Sequence, residues 1–449
     1  MVHVAKIVAS TLAHHQVVAV VSAMSSEIKS EGTTSQLLKA ADLAVKGGAY
    51  EEPLQKVRDH HLSAAVQAVS TESIRKEVQE YITSELQWVE GFLDAISVIR
   101  ELSPRSQDIL MATGERLSAR MLTATLQDQG VPAEMVDLVE VVPDHEQYIN
   151  PGFFNRLQTL LGERCRPSEQ RVPIVTGFIG QIPGGLLKAV GRGYTDFTAA
   201  MISAGLGGET TEEMQVWKEV DGIFSADPRK VPNARVLSRI SPAEAAELTY
   251  FGSEVLHPFT MERVVGAKIP IRIKNTFNPE GEGTVILHDG LDHEDSPNAQ
   301  DVVTAVTAKR GITTFSVTSN RMYNAHGFMA RVFKVLEDHQ VSVDLIATSE
   351  VSISCTVDGA DELKRAVPSL EELGRVSLTP GRAILAMVGE GMKYAVGTAG
   401  RMFSTLGASG INIEIISQGA SEINISCVIK EEDVEQALIS IHQAFLEQA

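Results

Sequence analysis

The chain has 449 residues, of which 43% are hydrophobic and 22% charged, and its formal net charge is −19 at pH 7. A chain of this length forms roughly two to four domains with sizeable cores. The strongly negative charge argues against nucleic acid or an anionic membrane as a partner. An anionic substrate would need local cations, because the overall field repels it.

The cysteines give an indication of the cellular compartment. Cys165, Cys355 and Cys427 lie far apart, in or near apolar runs. Their odd number and wide spacing favour reduced core residues of a cytoplasmic protein over a disulfide or metal framework. No apolar run reaches the roughly 20 residues of a membrane-spanning helix. The start of the chain does not fit a signal peptide, because His14 and His15 interrupt its apolar stretch.

The first 285 residues alternate between strand-like and helical patterns. Helical patterns occur at 34–45, at 53–99 with a break, and at 106–128, and strand-like runs occur at 17–21, 136–142, 172–178, 216–223 and 269–273. Strands that alternate with helices predict an α/β domain with a mainly parallel sheet. We place this domain at 1–285 and a polar linker at 286–300.

Beyond the linker the chain repeats itself. A strand-like run, a helix and two strands at 314–318, 327–338, 342–346 and 350–355 recur in the same order at 384–388, 397–406, 412–416 and 422–427. This repetition predicts two ferredoxin-like α+β modules, at 301–375 and 376–449. Polar pairs at their turns, 348–349 and 417–418, could hold a small polar ligand. A purely structural duplication is the competing interpretation.

A glycine-rich loop follows the apolar run 172–175 and leads into a predicted helix at about 197–204. Glycine lets backbone N–H groups approach a phosphate, and a helix N-terminus adds partial positive charge. Arg192 supplies a planar cation for a carboxylate or phosphate, and Asp196 can orient a second polar group. This combination favours an anion site over a flexible loop with a glycine-capped helix.

Several motifs resemble those of aspartate kinases. They are 177–180 (Gly-Phe-Ile-Gly), 191–196 (Gly-Arg-Gly-Tyr-Thr-Asp), 217–229 and 256–258 (Leu-His-Pro). Residues 349–351 and 416–419 resemble the paired ACT regulatory domains of that family. The likeness covers nearly the whole chain in the family's order, and 191–196 with 253–255 is most similar to the monofunctional fungal branch. It implies an amino-acid-kinase-type sheet sandwiched by helices, followed by two ACT modules.

The resemblance also implies a reaction. The γ-phosphoryl group of ATP would pass to the side-chain carboxylate of L-aspartate, giving 4-phospho-L-aspartate for threonine and methionine synthesis, and for lysine where that branch is present. A carboxylate oxygen is already a nucleophile, so catalysis needs alignment and charge neutralisation rather than a base. Mg²⁺ would arrive with ATP, bound mainly by phosphates and water, so we expect no protein metal cage. The ACT domains imply a homodimer or larger assembly.

Site residues follow from matching motif to motif. Arg192 and Asp196 are the expected catalytic residues, and Thr34, Glu115, Arg192 and Asp196 the expected aspartate-binding residues. The expected ATP-binding residues are Ser22, Trp217, Lys218, Glu219, Phe224, Asp227 and Arg229. The expected regulatory residues are Met322, Asn324, Gly327, Phe328, Val343, Asp344, Ser349, Glu350 and Gln418. Asp344 would bind the ammonium group of an effector; threonine is the preferred effector and lysine the second.

These residues also have ordinary structural interpretations. Glu115 could only favour the first turn of a helix, and Trp217 could be core. Asp227 could belong to a simple turn. For Phe328 and Val343, a core position is the better interpretation even if the pocket exists.

One departure from the family concerns the N-terminal motif Lys-Phe-Gly-Gly-Thr-Ser, whose lysine contacts the transferring phosphates. The chain instead starts with residues that resemble the helix after it, and Lys6 in that helix is no obvious substitute. We expect a truncated sequence with little or no activity as given. The alternatives are an impaired amino-acid-sensing regulatory protein with a scaffold kinase domain, and another amino-acid or carbamate kinase of this fold. The paired ACT repeats disfavour the latter.

Overall fold

The computed structural model describes residues 1–26, 28–142, 149–150, 152–180, 182–183, 185–186, 190, 193–252, 256, 258–287, 302–319, 326–349, 351–419 and 423–447. The chain forms two compact units. The first unit comprises Met1–Asp221 and Leu256–Glu282, and the second unit comprises Gly222–Val255 and Gly283–Ala449. Residues 222–255 therefore belong to the second unit, although the sequence pattern placed them in the domain 1–285. The domain limits given above stay a prediction.

The helices and strands of the described residues are as follows. The helices are α1 Val2–Leu12, α2 Thr33–Val45, α3 Glu51–Ala68, α4 Glu72–Ile99, α5 Pro104–Asp128, α6 Phe153–Arg164, α7 Tyr194–Leu206, α8 Pro242–Tyr250, α9 Pro258–Gly266, α10 Phe328–Asp338, α11 Ala360–Glu371, α12 Thr398–Ala408 and α13 Val434–Phe445. The strands are β1 Ala19–Val21, β2 Ala133–Val136, β3 Val172–Thr176, β4 Met214–Lys218, β5 Arg239–Ile240, β6 Ile271–Asn275, β7 Thr284–Ile286, β8 Ala305–Ser319, β9 Ile346–Thr348, β10 Ser352–Asp358, β11 Gly374–Val388, β12 Ile415–Ser417 and β13 Asn424–Lys430. None of the described helices is both long and apolar enough to cross a membrane.

Parallel strands organise the first unit. β3 lies between β1 and β2, and Ile174 is in register with Ala19 on one side and Met135 on the other. All of β3 is buried, as expected for a parallel strand that is covered on both faces. β4 and β6 form a second parallel pair, with Trp217 opposite Lys274. The mainly parallel arrangement predicted from the alternating pattern is confirmed.

Helices α2 to α5 form a helical core in the first unit. α4 buries one apolar stripe, made of Val78, Ile82, Leu86, Val89, Leu93 and Ile96. Steps of three and four residues keep these side chains on one face of the helix. The predicted break in the pattern 53–99 lies between α3 and α4. There the Asp128 carboxylate accepts the backbone N–H groups of Ser70 and Thr71 at 2.8 and 2.9 Å.

In the repeats, the predicted strands 342–346 and 412–416 start later, at Ile346 and Ile415. Two predicted strands of the first 285 residues end much earlier than predicted. The run 136–142 is mostly outside a strand, because β2 ends at Val136, yet Leu138 and Val141 are buried in a core cluster. The run 216–223 contains strand only as far as Lys218. Both errors have one cause: an apolar run reports burial, and burial does not require hydrogen bonding to a neighbouring strand.

The second unit is built around one antiparallel sheet of order β12-β13-β11-β8-β10-β9. The predicted order of strand, helix, strand, strand and helix is present in residues 305–373 (the first repeat) and 374–445 (the second repeat). β8 and β11 are each 15 residues long and pair with each other at the centre of the sheet. The repeats therefore share one sheet, a feature that the sequence pattern did not predict.

The second half of β11, residues 383–388, is buried on both faces of the shared sheet. Leu385 and Met387 pack into the core beneath α12 and α13, whereas Ile384 and Ala386 pack into a cluster on the other face. The alternation follows from the two-residue period of a strand. Phe251, which directly follows α8, belongs to the second cluster. The segment 222–255 is thus part of the second unit's core.

Close packing of α6 against α7 gives a stability prediction. A Cβ atom on Gly162 would lie 2.3 Å from the backbone carbonyl carbon of Gly205. We expect Gly162→Ala to separate the helices and destabilise the protein by about 1–3 kcal/mol, because packed backbone cannot move aside cheaply.

Gly91→Ala in α4 is the matched control, because no atom of the described residues lies within 4 Å of its added Cβ. It should be neutral or stabilising by up to about 1 kcal/mol. Thermal unfolding followed by circular dichroism measures both variants. Equal melting temperatures for the two would contradict the proposed close contact.

Candidate functional site

The first part of the site lies where β1 and β3 end. The two strands are parallel, with Val21 opposite Thr176, and the Gly177 N–H donates to the Val21 carbonyl at 3.0 Å. Ser22 follows β1 at this edge, and the motif 177–180 follows β3. Ligands of open parallel sheets bind beyond the carboxyl ends of the strands. Ser22 therefore lies where a ligand is expected.

Helix α7 starts against the same edge. Gly193 precedes it with a φ of 94°, a left-handed conformation that favours glycine. The Thr198 hydroxyl donates to the Gly177 carbonyl. A Cβ atom on Gly177 would lie 2.6 Å from Thr195 Oγ1. Glycine at position 177 therefore allows the first turn of α7 to approach the end of β3.

Helix α5 approaches from another side. A Cβ atom on Gly114 would lie 2.9 Å from the Ala23 side chain and 3.1 Å from the Thr33 side chain. This contact holds the turn after β1 and the start of α2 against α5. Glu115, the next residue of α5, has a side chain that is only 1% exposed.

The Glu115 carboxyl group has one free oxygen. The Thr195 hydroxyl donates to Oε1 at 3.1 Å, whereas Oε2 has no partner with hydrogen-bond geometry among the described residues. Burial raises the pKa of Glu115 to about 8, although the Tyr194 and Thr195 hydroxyls and the Phe178 N–H favour the ionised form. A buried carboxylate with a free oxygen favours a cationic ligand, since a cation compensates for lost hydration.

Asp196 and Lys218 form an ion pair. The Lys218 Nζ atom lies 3.0 Å from Asp196 Oδ2, and both side chains are half-buried. Asp196 belongs to the first turn of α7 and Lys218 is the last residue of β4, so the fold brings together two residues predicted for different substrates. The neighbouring Trp217 ring lies under the Lys274 ammonium group, 5.2 Å from its centroid, whereas Glu219 is exposed.

The start of α2 holds two threonines. Thr34, the predicted substrate residue, is partly buried, whereas Thr33 is fully buried and its Oγ1 has no partner among the described residues. Sequence reasoning missed Thr33. Its position between Gly32 and Thr34 at a helix start was the available signal, but it did not show which hydroxyl points inward.

Three predicted ATP-binding residues belong to the second unit. Phe224 is partly buried and pairs with Val236 in an isolated β-bridge. Arg229 donates from Nε and Nη2 to the two Asp227 oxygens at 3.0 and 3.1 Å. Partial burial opposes ionisation of Asp227, but the bonds from Arg229 lower its pKa overall. The Arg229 guanidinium is largely exposed.

Some predicted residues lie outside the described part of the chain. They are Arg192, Met322, Asn324 and Glu350, together with 253–255 and 257 of the resemblance motifs.

The described regulatory residues are in the second unit. Gly327 precedes α10 with a φ of 77°, and Phe328 is buried in the core of the first repeat, against which Val343 packs. Phe328 and Val343 thus occupy core positions. Ser349 stabilises the turn between β9 and β10, where its Oγ lies 2.7 Å from Ser352 Oγ. Gln418 is exposed after β12.

Asp344 differs from these residues because it is a buried acid. Its side chain is 6% exposed, and Oδ1 lies 2.9 Å from the Lys309 ammonium group. Oδ2 has no hydrogen-bond partner among the described residues. Lys309 was not predicted, because nothing in the repeat pattern marks a charge on β8 as the partner of Asp344.

Acidic, histidine and cysteine side chains do not cluster into a metal site in the described ranges: no group of three or more could hold an ion there.

Family models match both parts of the chain. The amino acid kinase family matches residues 1–275, and the ACT domain matches residues 315–373 and 385–445. The predicted fold class, an amino-acid-kinase-type sheet followed by two ACT modules, is confirmed.

Individual proteins agree with these models. An aspartokinase of Schizosaccharomyces pombe is 43% identical over 97% of this chain and 88% of its own length. An aspartokinase of Saccharomyces cerevisiae is 43% identical over 96% of this chain and 86% of its own length. The crystal structure of E. coli aspartokinase III with aspartate and ADP has a TM-score of 0.77 at 29% identity, covering 98% of this chain and 95% of that one. The chain therefore belongs to the aspartokinase family of kinase enzymes.

Proposed function

We propose that the enzyme transfers the γ-phosphoryl group of ATP to the side-chain carboxylate of L-aspartate, giving 4-phospho-L-aspartate. The observation that carries this proposal is the Glu115 oxygen Oε2, which is buried and without a partner among the described residues. The ammonium group of aspartate would supply the missing cation. The E. coli relative was crystallised with aspartate and ADP, which supports the same pair of ligands.

The proposed role of Lys218 and Arg192 is to neutralise negative charge on the two substrates. The carboxylate of aspartate and the γ-phosphate of ATP repel each other, so bringing them together requires fixed cations. Lys218 provides an ammonium group, and its ion pair with Asp196 holds it at the end of β4. Arg192 is assigned to an aspartate carboxylate because of its place in the motif 191–196 and its bidentate guanidinium.

Mg²⁺ would accompany the nucleotide. In nucleotide sites Mg²⁺ keeps several waters and binds substrate phosphates with one or two carboxylates. The described residues offer no cage of three or more ligands. In the proposed site Mg²⁺ would be held largely by ATP, where it would reduce the negative charge on the phosphates.

The second unit would allow feedback inhibition of an enzyme that feeds threonine and methionine synthesis. Asp344 offers a buried free oxygen for an effector ammonium group, and Gly327 precedes α10, whose first N–H groups favour a carboxylate. Threonine is the proposed effector and lysine the second candidate.

A homodimer or larger assembly is proposed as well; exposed Ile346 and Ile416, at matching positions of the outer strands β9 and β12, support it.

A hydroxamate assay for acyl phosphate tests the reaction directly. We expect product only when both ATP and aspartate are present. Threonine binding without any acyl phosphate would instead identify an amino-acid sensor.

The pKa of Glu115 predicts a pH dependence for aspartate binding. Because the ammonium group prefers the ionised carboxylate, binding must remove the proton from Glu115 below a pH of about 8. The aspartate Kd should therefore fall by up to about tenfold per pH unit between pH 6 and 8, and then level off. Calorimetric titration at several pH values measures this slope.

Glu115→Gln should abolish the slope and weaken binding about 100-fold at pH 8, since a charge-assisted hydrogen bond is lost. Glu52→Gln on the exposed start of α3 is the control and should retain the slope. A variant at position 115 with the same pH profile as the parent would remove Glu115 from the aspartate site.

Lys218 predicts an effect on turnover. Lys218→Met should lower kcat by about 100-fold or more, since it removes a fixed cation from the reacting phosphates, while the KM for aspartate changes less than about threefold. Lys46→Met is the matched control, because Lys46 forms only an exposed pair with Asp42 and such pairs contribute little. Steady-state kinetics decide: parental kcat in Lys218→Met would disprove the role.

Variants at Asp344 and Gln418 test where the effector binds. Asp344→Asn should raise the threonine concentration for half-inhibition by about 30-fold, because the effector loses a charged partner. Gln418→Ala should also relieve inhibition, and neither should change uninhibited turnover. Asp361→Asn on the exposed face of α11 is the control. Unaltered threonine inhibition in Asp344→Asn would place the effector elsewhere, and inhibition by lysine alone would select the second candidate.

A further inference from the structure

Lys309 on β8 is the internal cation of the predicted effector site. Its Nζ atom lies 2.9 Å from Asp344 Oδ1 and 3.3 Å from Asp358 Oδ2. Asp358 is exposed, so the buried partner is Asp344. Burial works against the charge on Lys309, but hydrogen bonds to Asp344 raise its pKa overall. The ammonium group therefore stays charged.

Tyr250, the last residue of α8, meets the same pair. The Lys309 Nζ atom lies 5.6 Å from the centre of the Tyr250 ring, a cation–π distance. Burial and the negative charge of Asp344 raise the pKa of Tyr250. The hydroxyl thus remains a donor. The end of α8, the strand β8 and the side chain of Asp344 therefore meet at Lys309.

The rest of α8 is fixed to the second repeat and to Thr304, the residue before β8. Glu244 accepts the Thr304 hydroxyl at 2.5 Å and the Glu390 N–H at 3.2 Å. Glu247 accepts the Asn424 amide at 2.8 Å. Residues 244, 247 and 250 follow each other at intervals of three, so they share one face of the helix. α8 is therefore anchored within the second unit at residues 244, 247 and 250.

The geometry leaves a specific place for a ligand. Asp344 uses Oδ1 for Lys309, and its Oδ2 is buried without a partner among the described residues. A ligand ammonium group at Oδ2 would share this carboxylate with Lys309 and Tyr250. A second cation beside the same carboxylate weakens the hold of the acid on the first.

We propose that Lys309 and Tyr250 are positioning residues that couple occupancy of Asp344 to the docking of α8. This inference rests on the proposed function, in which an effector ammonium group binds Asp344. Helix α8 continues the segment that contains Phe224, Asp227 and Arg229, the predicted ATP-binding residues of the second unit. A ligand at Asp344 thereby acts on that segment within one compact unit.

Tyr250→Phe in the full chain is the main test, because it removes only a hydroxyl group. Threonine should still bind, with a calorimetric Kd within about fivefold of the parent. The threonine concentration for half-inhibition should rise at least tenfold. Hydrogen exchange of the amides of residues 242–251 should change with threonine in the parent protein and not in the variant.

Lys309→Met is the second variant. With its internal cation removed, Asp344 should bind threonine about tenfold more tightly, whereas the exchange response of α8 should be lost. Lys334→Met is the matched control, because Lys334 pairs only with exposed acids on its own helix. It should behave as the parent protein does in all three measurements.

The outcomes separate the two proposals. If threonine and lysine both fail to bind the parent protein, the effector site at Asp344 and the coupling are both wrong. If threonine binds and inhibits the parent, and both variants keep the parental exchange response and inhibition, the coupling alone is wrong. A loss of the α8 response in both variants with binding retained would support it.

Discussion

A buried carboxylate with one unpaired oxygen is the constraint on which both units depend. Removing a carboxylate from water costs several kcal/mol unless a cation or several donors replace the hydration. Glu115 and Asp344 are each more than nine-tenths buried, and each has an oxygen without a partner among the described residues. In the functions proposed above, the ammonium group of aspartate would complete Glu115 and that of an effector amino acid would complete Asp344.

The packing around each acid explains why it stays buried. Around Glu115, the glycines at positions 114 and 177 let backbone and side chains approach more closely than any Cβ would permit. Around Asp344, the shared sheet supplies Lys309 from its long central strand β8. Both faces of the sheet are buried around residues 383–388, where Ala226 and Val231 pack into one core cluster and Phe251 into the other.

The sequence predicted individual helices and strands better than the contacts between them. Alternating patterns identified β1, β3 and the repeated order of the second unit, because periodicity reports which face is buried. It could not show that β8 and β11 pair with each other, since that pairing joins residues about 70 positions apart. Motif matching singled out Glu115, Asp196 and Lys218, but the Asp196–Lys218 pair appears only once α7 and β4 are folded. Thr33, Tyr250 and Lys309 were missed because their roles depend on contacts and not on residue type.

The two buried acids differ in how their charge is balanced before a ligand arrives. Glu115 has hydroxyl and N–H donors, and its pKa of about 8 means that it is mostly protonated at neutral pH. If aspartate binds there as proposed, its ammonium group would displace this proton, and aspartate binding would depend on pH. Asp344 already has Lys309 beside it, so a ligand there competes for a carboxylate that is in use. In the proposed roles, Glu115 would exchange a proton for the substrate, whereas Asp344 would exchange part of one contact for another. Only the second arrangement would pass binding on to a neighbouring helix, because a weaker hold on Lys309 would also change its contact with Tyr250 at the end of α8.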